Sequence, residues 1–176
     1  LAAPARHPSA GVFLLGFFML HAVIDTNIWL DLYVFEDESV NCLKHALETG
    51  QIRARRTTGI DAELHDVLGR THIARHISPS NLAASLLRWE SISDGVVADT
   101  GCRAPWICPA RDDQKFLDLC HQTQANLLLT KDKALLTLAR RARQSGLFIL
   151  KAQDLAAFMS ALPTAPSDVQ TVGLLE

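Results

Sequence analysis

Apolar residues fall into short unbroken runs separated by longer stretches with helical spacing. Ala22, Val23 and Ile24 form a run suited to a strand buried on both faces. Ile28, Trp29, Leu30 and Leu32 then predict a helix over 28–35. A second helix is predicted over 36–49, with Val40, Leu43, Ala46 and Leu47 on one face and Gly50 as its stop. Residues 51–57, with Ile52 and Ala54, read as a second strand despite three arginines. Thr57 or Thr58 caps a third helix carrying Ile60, Leu64, Val67 and Leu68, and Gly69 lies near its end. Ser78-Pro79 opens a fourth, whose apolar positions are Leu82, Ala83, Leu86, Leu87 and Trp89.

The pattern blurs over 93–111. Asp94-Gly95 reads as a turn, 96–98 as a short strand and 101–109 as an irregular loop. From Asp112 a helix carries Phe116, Leu117, Leu119 and Cys120, and a strand follows at 127–130. Asp132 opens one helix that runs through Leu135, Leu136, Leu138 and Ala139. Arg140, Arg141 and Arg143 at its carboxyl end complement the helix dipole. Gly146 closes it, 147–150 make the last strand and 154–159 the last helix. Strands alternating with helices predict an α/β fold with a parallel sheet covered on both sides.

A chain of 176 residues suits one domain, large enough to bury about 70% of its unfolded surface. Its 48% hydrophobic and 20% charged composition excludes a disordered protein. The net charge of −2 gives no global pull toward nucleic acid, but a local basic face can coexist with an acidic pocket. Cys42, Cys102, Cys108 and Cys120 have no zinc-ligand spacing, and reduced thiols in a cytoplasm suit them. The apolar stretch 11–20 resembles a signal-peptide core, yet it is short for a bilayer and runs directly into the first strand. The expected organisation is therefore a non-native or disordered leader over 1–18, a domain over 19–160 starting at Met19, and a flexible tail over 161–176. No membrane association is expected.

Four acids stand out by position. Asp25 ends the first strand, Glu63 lies early in the third helix, Asp113 begins the helix after the irregular loop, and Asp132 follows the 127–130 strand. Each has an ordinary explanation, since Asp is a favoured helix cap and acids suit first turns. In a doubly wound sheet, however, the carboxyl ends of inner strands share one edge with the amino ends of the following helices. Carboxylates gathered there need a compensating cation. An oxygen-only donor set suits Mg²⁺ or Mn²⁺, which can activate water and stabilise the leaving oxygen of a phosphodiester.

The segments Val23-Ile24-Asp25-Thr26-Asn27, 62–68 (Ala-Glu-Leu-His-Asp-Val-Leu), 112–119 (Asp-Asp-Gln-Lys-Phe-Leu-Asp-Leu) and 129–136 (Leu-Thr-Lys-Asp-Lys-Ala-Leu-Leu) resemble the successive motifs of the PIN domain. They are most similar to the bacterial branch of toxin–antitoxin toxins, the VapC-like proteins. This resemblance implies a three-layer α/β/α fold with about five parallel strands. It also implies a Mg- or Mn-dependent ribonuclease whose acids are Asp25, Glu63, Asp113 and Asp132. Asn27 and Thr130 match polar helpers, and Asp112 is the alternative third acid. Lys131 departs from the pattern, as a cation that binds phosphate or competes with the metal. The expected partners are RNA, a cognate antitoxin protein and a second copy of the chain.

Asp25, Asp113 and Asp132 are expected to hold one or two Mg²⁺ or Mn²⁺ ions directly or through water, with Glu63 completing the shell or orienting the attacking water. Candidate basic contacts to RNA are Arg53, Arg55, Arg56 and Lys131, then Arg70, Arg75 and His76, then Arg140, Arg141 and Arg143. His65, His72 and His121 read as surface or packing residues. Two rival readings stand beside the nuclease. A haloacid-dehalogenase-like phosphatase needs a second Asp where this chain has Asn27. A non-catalytic PIN-like module binding RNA or protein would have no need of all four acids.

Overall fold

A computed structural model describes residues 19–162; the expected leader over 1–18 and all but the first two residues of the expected tail lie outside them. Strand β1 (Leu20–Ile24) is followed by helix α1 (Thr26–Tyr33), a 3-10 turn at Glu38–Val40 and α2 (Asn41–Glu48). Next come β2 (Ile52–Thr57), α3 (Thr58–Gly69), α4 (Thr71–Ala74), α5 (Pro79–Ser91) and β3 (Ser93–Val97). After a 3-10 turn at Arg111–Asp113 the chain forms α6 (Gln114–Thr123), β4 (Leu127–Leu129), α7 (Lys133–Leu136) and α8 (Ala139–Arg143). It finishes with β5 (Phe148–Leu150), a 3-10 turn at Ala152–Asp154 and α9 (Leu155–Ser160).

All four strand pairings are parallel, in the order β3-β2-β1-β4-β5. Alternation along the strands sends side chains to two separate cores. Ala22, Ile24, Ile52, Ala54, Leu127 and Leu129 face one, with Trp29, Leu43, Leu64, Trp89 and Leu155 from α1, α2, α3, α5 and α9. Val23, Leu128 and Ile149 face the other, covered by Phe116 and Leu117 of α6, Leu135 of α7 and Ala142 of α8. The result is the three-layer α/β/α arrangement with five strands. The chain winds outward from β1 to β3, then crosses back to place β4 on the other side of β1. A crevice outside the carboxyl ends of β1 and β4 follows from that reversal.

Several local expectations are corrected. The helix expected over 36–49 begins only at Asn41, because Asp37 accepts the Ser39 N–H and starts a separate 3-10 turn. Asp94-Gly95 is no chain reversal but part of β3. Gly95 takes φ +84°, and pairing jumps from Ala54–Ser93 to Arg56–Val96, so the dipeptide marks a bulge. The helix expected to start at Asp132 and carry through the arginines breaks into α7 and α8, with the Thr137 hydroxyl donating to the Ala134 carbonyl at the break. Helix α4 is an addition, too short to show a period.

Candidate active site

Asp25 reaches the crevice because β1 ends at Ile24 and the backbone leaves the extended region one residue later. Its side chain caps α1, Oδ1 accepting the Asn27 N–H at 3.2 Å. Oδ2 accepts the Thr130 hydroxyl at 2.6 Å, a bond that ties the end of β1 to the end of β4 across the point where the winding reverses. Thr130 is wholly buried, and its Oγ1 also accepts the Asp132 N–H at 2.9 Å. Asp132 caps α7, Oδ1 accepting the Ala134 N–H at 2.6 Å. One threonine hydroxyl therefore fixes two of the four acids relative to each other.

Glu63 arrives from α3, one and a half turns beyond its Thr57 cap. Its Oε1 accepts the Thr26 hydroxyl at 3.0 Å, and its Oε2 pairs with the Lys115 ammonium. Asp113 ends the 3-10 turn before α6, so it and Lys115 stand two residues apart at one helix start. Thr26, Asn27, Glu63, Asp112, Asp113 and Lys115 line one open crevice. Asp112 is exposed on its rim, whereas Asp113 is half-buried. Asp25 and Asp132 lie outside that lining.

Electrostatics joins the acids. Burial pushes the Asp25 carboxyl above the ordinary aspartate range, against its bonds from Thr130 and Asn27, and the charges of Glu63 and Asp132 push it the same way. Burial raises Asp113 too, followed by the charges of Asp132 and Asp25 and a smaller push from Glu63, while Lys115 opposes them. Asp25 and Asp113 thus each lie within reach of the charges of Glu63 and Asp132. Among the described residues, however, no three His, Cys, Asp or Glu side chains close into a ready-made metal cage. Asp132 turns one oxygen to the α7 amides, and Glu63 leans to Lys115. The donor set is all oxygen and anionic, which fits a hard divalent ion that keeps much of its water shell.

The basic candidates fare differently. Arg53 donates to Asp94 and to the Ser91 and Ser93 carbonyls, Arg55 pairs with Asp94, and Arg56 pairs with Asp61. Each has an intramolecular partner, which explains how β2 carries three arginines. Arg53 pairs in register with His21, near the amino ends of the strands and away from the acids. Lys131 turns to the buried Asp31 of α1 rather than to Asp132. Arg70 and His72 line the crevice, and Arg70 also pairs with Asp66. His65 is exposed, and His121 packs edge-on against Trp106. Sequence reasoning gave Thr26 no contact with Glu63 and gave Lys115 no role. Thr26 adjoins Asp25 and Lys115 follows Asp113 by two, spacings that place both beside acids at helix starts.

No helix among the described residues is long and apolar enough to cross a membrane. A search of curated proteins returned no significant match. The family model described as PIN domain matches residues 21–134, from β1 into α7 and through all four acids. The chain belongs to the PIN domain family, whose members are generally metal-dependent nucleases.

Proposed function

We propose that the protein is a Mg- or Mn-dependent endoribonuclease, the toxin of a toxin–antitoxin pair. The observation that carries the nuclease reading is Asp25. A carboxyl buried at the sheet's reversal point, and made harder to ionise by Glu63 and Asp132, calls for a cation to keep it charged. Asp25, Asp113 and Asp132 would hold that ion directly or through water. A bound Mg²⁺ or Mn²⁺ supplies the Lewis acidity that activates water and stabilises the leaving oxygen.

The chain's own groups do the rest. Thr130 and the Asn27 amide orient Asp25 and favour its charged form against the effect of burial. Glu63, oriented by the Thr26 hydroxyl, positions the water that attacks phosphorus in line. The P–O3′ bond breaks, leaving a 5′-phosphate and a 3′-hydroxyl that takes its proton from solvent. Lys131, whose side chain is 48% exposed, and Arg70 on the crevice wall are candidate phosphate contacts. Arg53, Arg55 and Arg56 contribute to RNA only through what charge their internal partners leave. A cognate antitoxin covering the crevice, a homodimer and a cytoplasmic site of action rest on the motif resemblance to VapC-like toxins.

One observation favours a second reading, a non-catalytic module: Glu63 is already paired with Lys115, and no trio of acids closes into a metal cage among the described residues. A single assay separates the two. Purified protein is incubated with single-stranded RNA and Mg²⁺ or Mn²⁺, with EDTA and Asp25→Asn as controls. Cleavage abolished by EDTA and lowered on the order of 100-fold or more by the substitution supports the enzyme. RNA binding without cleavage supports the module.

A further inference from the structure

Lys115 is a residue of the site that neither acid chemistry nor helix formation asks for. It stands in the first turn of α6, where an ammonium is opposed by the helix dipole rather than favoured. Its nitrogen pairs with Glu63 Oε2, although its side chain is still 36% exposed. It lines the acid crevice and also the adjoining groove formed by Thr57, Asp99, Gly101, Arg103 and Asp118. An aliphatic stem in that position can swing its charge between two hollows without moving the helix. Meanwhile Lys131, another lysine beside the acids, is engaged by Asp31. Lys115 is therefore a cation that the folded chain itself supplies to Glu63 at the acid edge.

We propose that Lys115 is a displaceable counter-cation: it neutralises Glu63 while the crevice holds no metal, and it passes to an RNA phosphate when Glu63 turns to a divalent ion. This rests on the metal-dependent nuclease reading above. Three observations support the exchange. Glu63 keeps its Thr26 bond on the other oxygen, so releasing Lys115 does not release the carboxylate. Lys115 covers Glu63 Oε2, the oxygen that Thr26 does not hold, so an arriving divalent ion and the ammonium compete for the same atom. In the adjoining groove Arg103, although paired with Asp118, keeps its side chain 77% exposed, so a phosphate reaching it would meet Lys115 at the groove's edge.

Competition makes the idea measurable without any turnover. Mn²⁺ binding is measured by electron paramagnetic resonance on the wild type, Lys115→Met and Lys115→Arg. Binding of a short oligoribonucleotide is then measured with and without Ca²⁺. Lys115→Met removes the competing charge at nearly constant length and is expected to bind Mn²⁺ about three- to tenfold more tightly, the size for one half-exposed opposing charge. Ca²⁺ is expected to strengthen RNA binding by the wild type and by Lys115→Arg but not by Lys115→Met. Mn²⁺ affinity in Lys115→Met that equals or falls below the wild type overturns the proposal, with Lys115→Gln as the check should the methionine variant not fold. A wild type that binds no Mn²⁺ at all overturns the nuclease reading instead.

Discussion

Thr130 has two jobs in one hydroxyl, donating to Asp25 and accepting from the Asp132 amide in a site from which water is excluded. Thr130→Val preserves shape and strips both bonds, and is expected to cost about 1–3 kcal/mol in chemical denaturation. The lost hydrogen bond favoured ionised Asp25, so the acid limb of the metal-dependent activity should also move to higher pH, and Thr130→Ser should restore it. Asp25 and Asp113 both have raised carboxyls. Between the ordinary aspartate range and those raised values the folded state binds more protons than the unfolded one, so their contribution to stability falls as pH rises through that window. A divalent ion offsets that cost only where the acids are charged. Mn²⁺ is therefore expected to raise the melting temperature more at pH 8 than at pH 5, and Asp25→Asn should shrink the difference. A shift that ignores pH would sever the acids from the metal.

At the scale of elements, Asp118 explains how the irregular stretch after β3 is ordered. Its carboxylate accepts the Ala104 N–H at 2.9 Å, the Gln114 amide at 2.8 Å and the Arg103 guanidinium at 2.7 Å. Gln114 in turn accepts the Cys108 N–H and donates to the Trp106 carbonyl. The first two turns of α6 thus clamp the loop that carries the chain to Asp113. Burial pushes Asp118 up, but the Ala104, Gln114 and Arg103 bonds outweigh it and hold the carboxyl below its ordinary value. Its stabilisation is then complete above the ordinary aspartate range and lost as pH falls through the lowered value. Asp118→Ala is expected to cost about 2–3 kcal/mol at neutral pH, and the gap from wild type should close in strong acid. Such a loop has no period to read, since distant side chains order it. By contrast β1, β2, and the caps at Thr57, Ser78 and Asp132 were legible, because each depends on neighbours in sequence. Asp94-Gly95 misled because the same positive-φ glycine serves a turn or a bulge, and only the pairing with β2 decides.

For the molecule as a whole, the two ends of the sheet carry different charges and different work. Toward the strands' amino ends, Asp94 is surrounded by His21, Arg53 and Arg55, each about a quarter exposed. Burial and the nearby Arg55 push His21 below its ordinary value even though Asp94 draws it up. Asp94→Asn leaves the guanidinium groups without their counter-charge and is expected to cost about 1–3 kcal/mol in stability. Cleavage under native conditions should stay within about twofold of wild type, an outcome read from parallel melting and RNA assays. At the carboxyl ends the acids gather. Sequence order placed them on one edge through the alternation of strands and helices; it could not show that Lys115 leans on Glu63 or that Arg53 is neutralised by Asp94, because those pairings are fixed by the packed fold. The central claim is that Asp25, Glu63, Asp113 and Asp132 serve one divalent ion. Crystals soaked in Mn²⁺ and examined by anomalous scattering test it directly. The account predicts a peak between β1 and β4, bound by Asp25, Asp113 and Asp132 or through their waters; Mn²⁺ found only on other surfaces, with this edge empty, would contradict it.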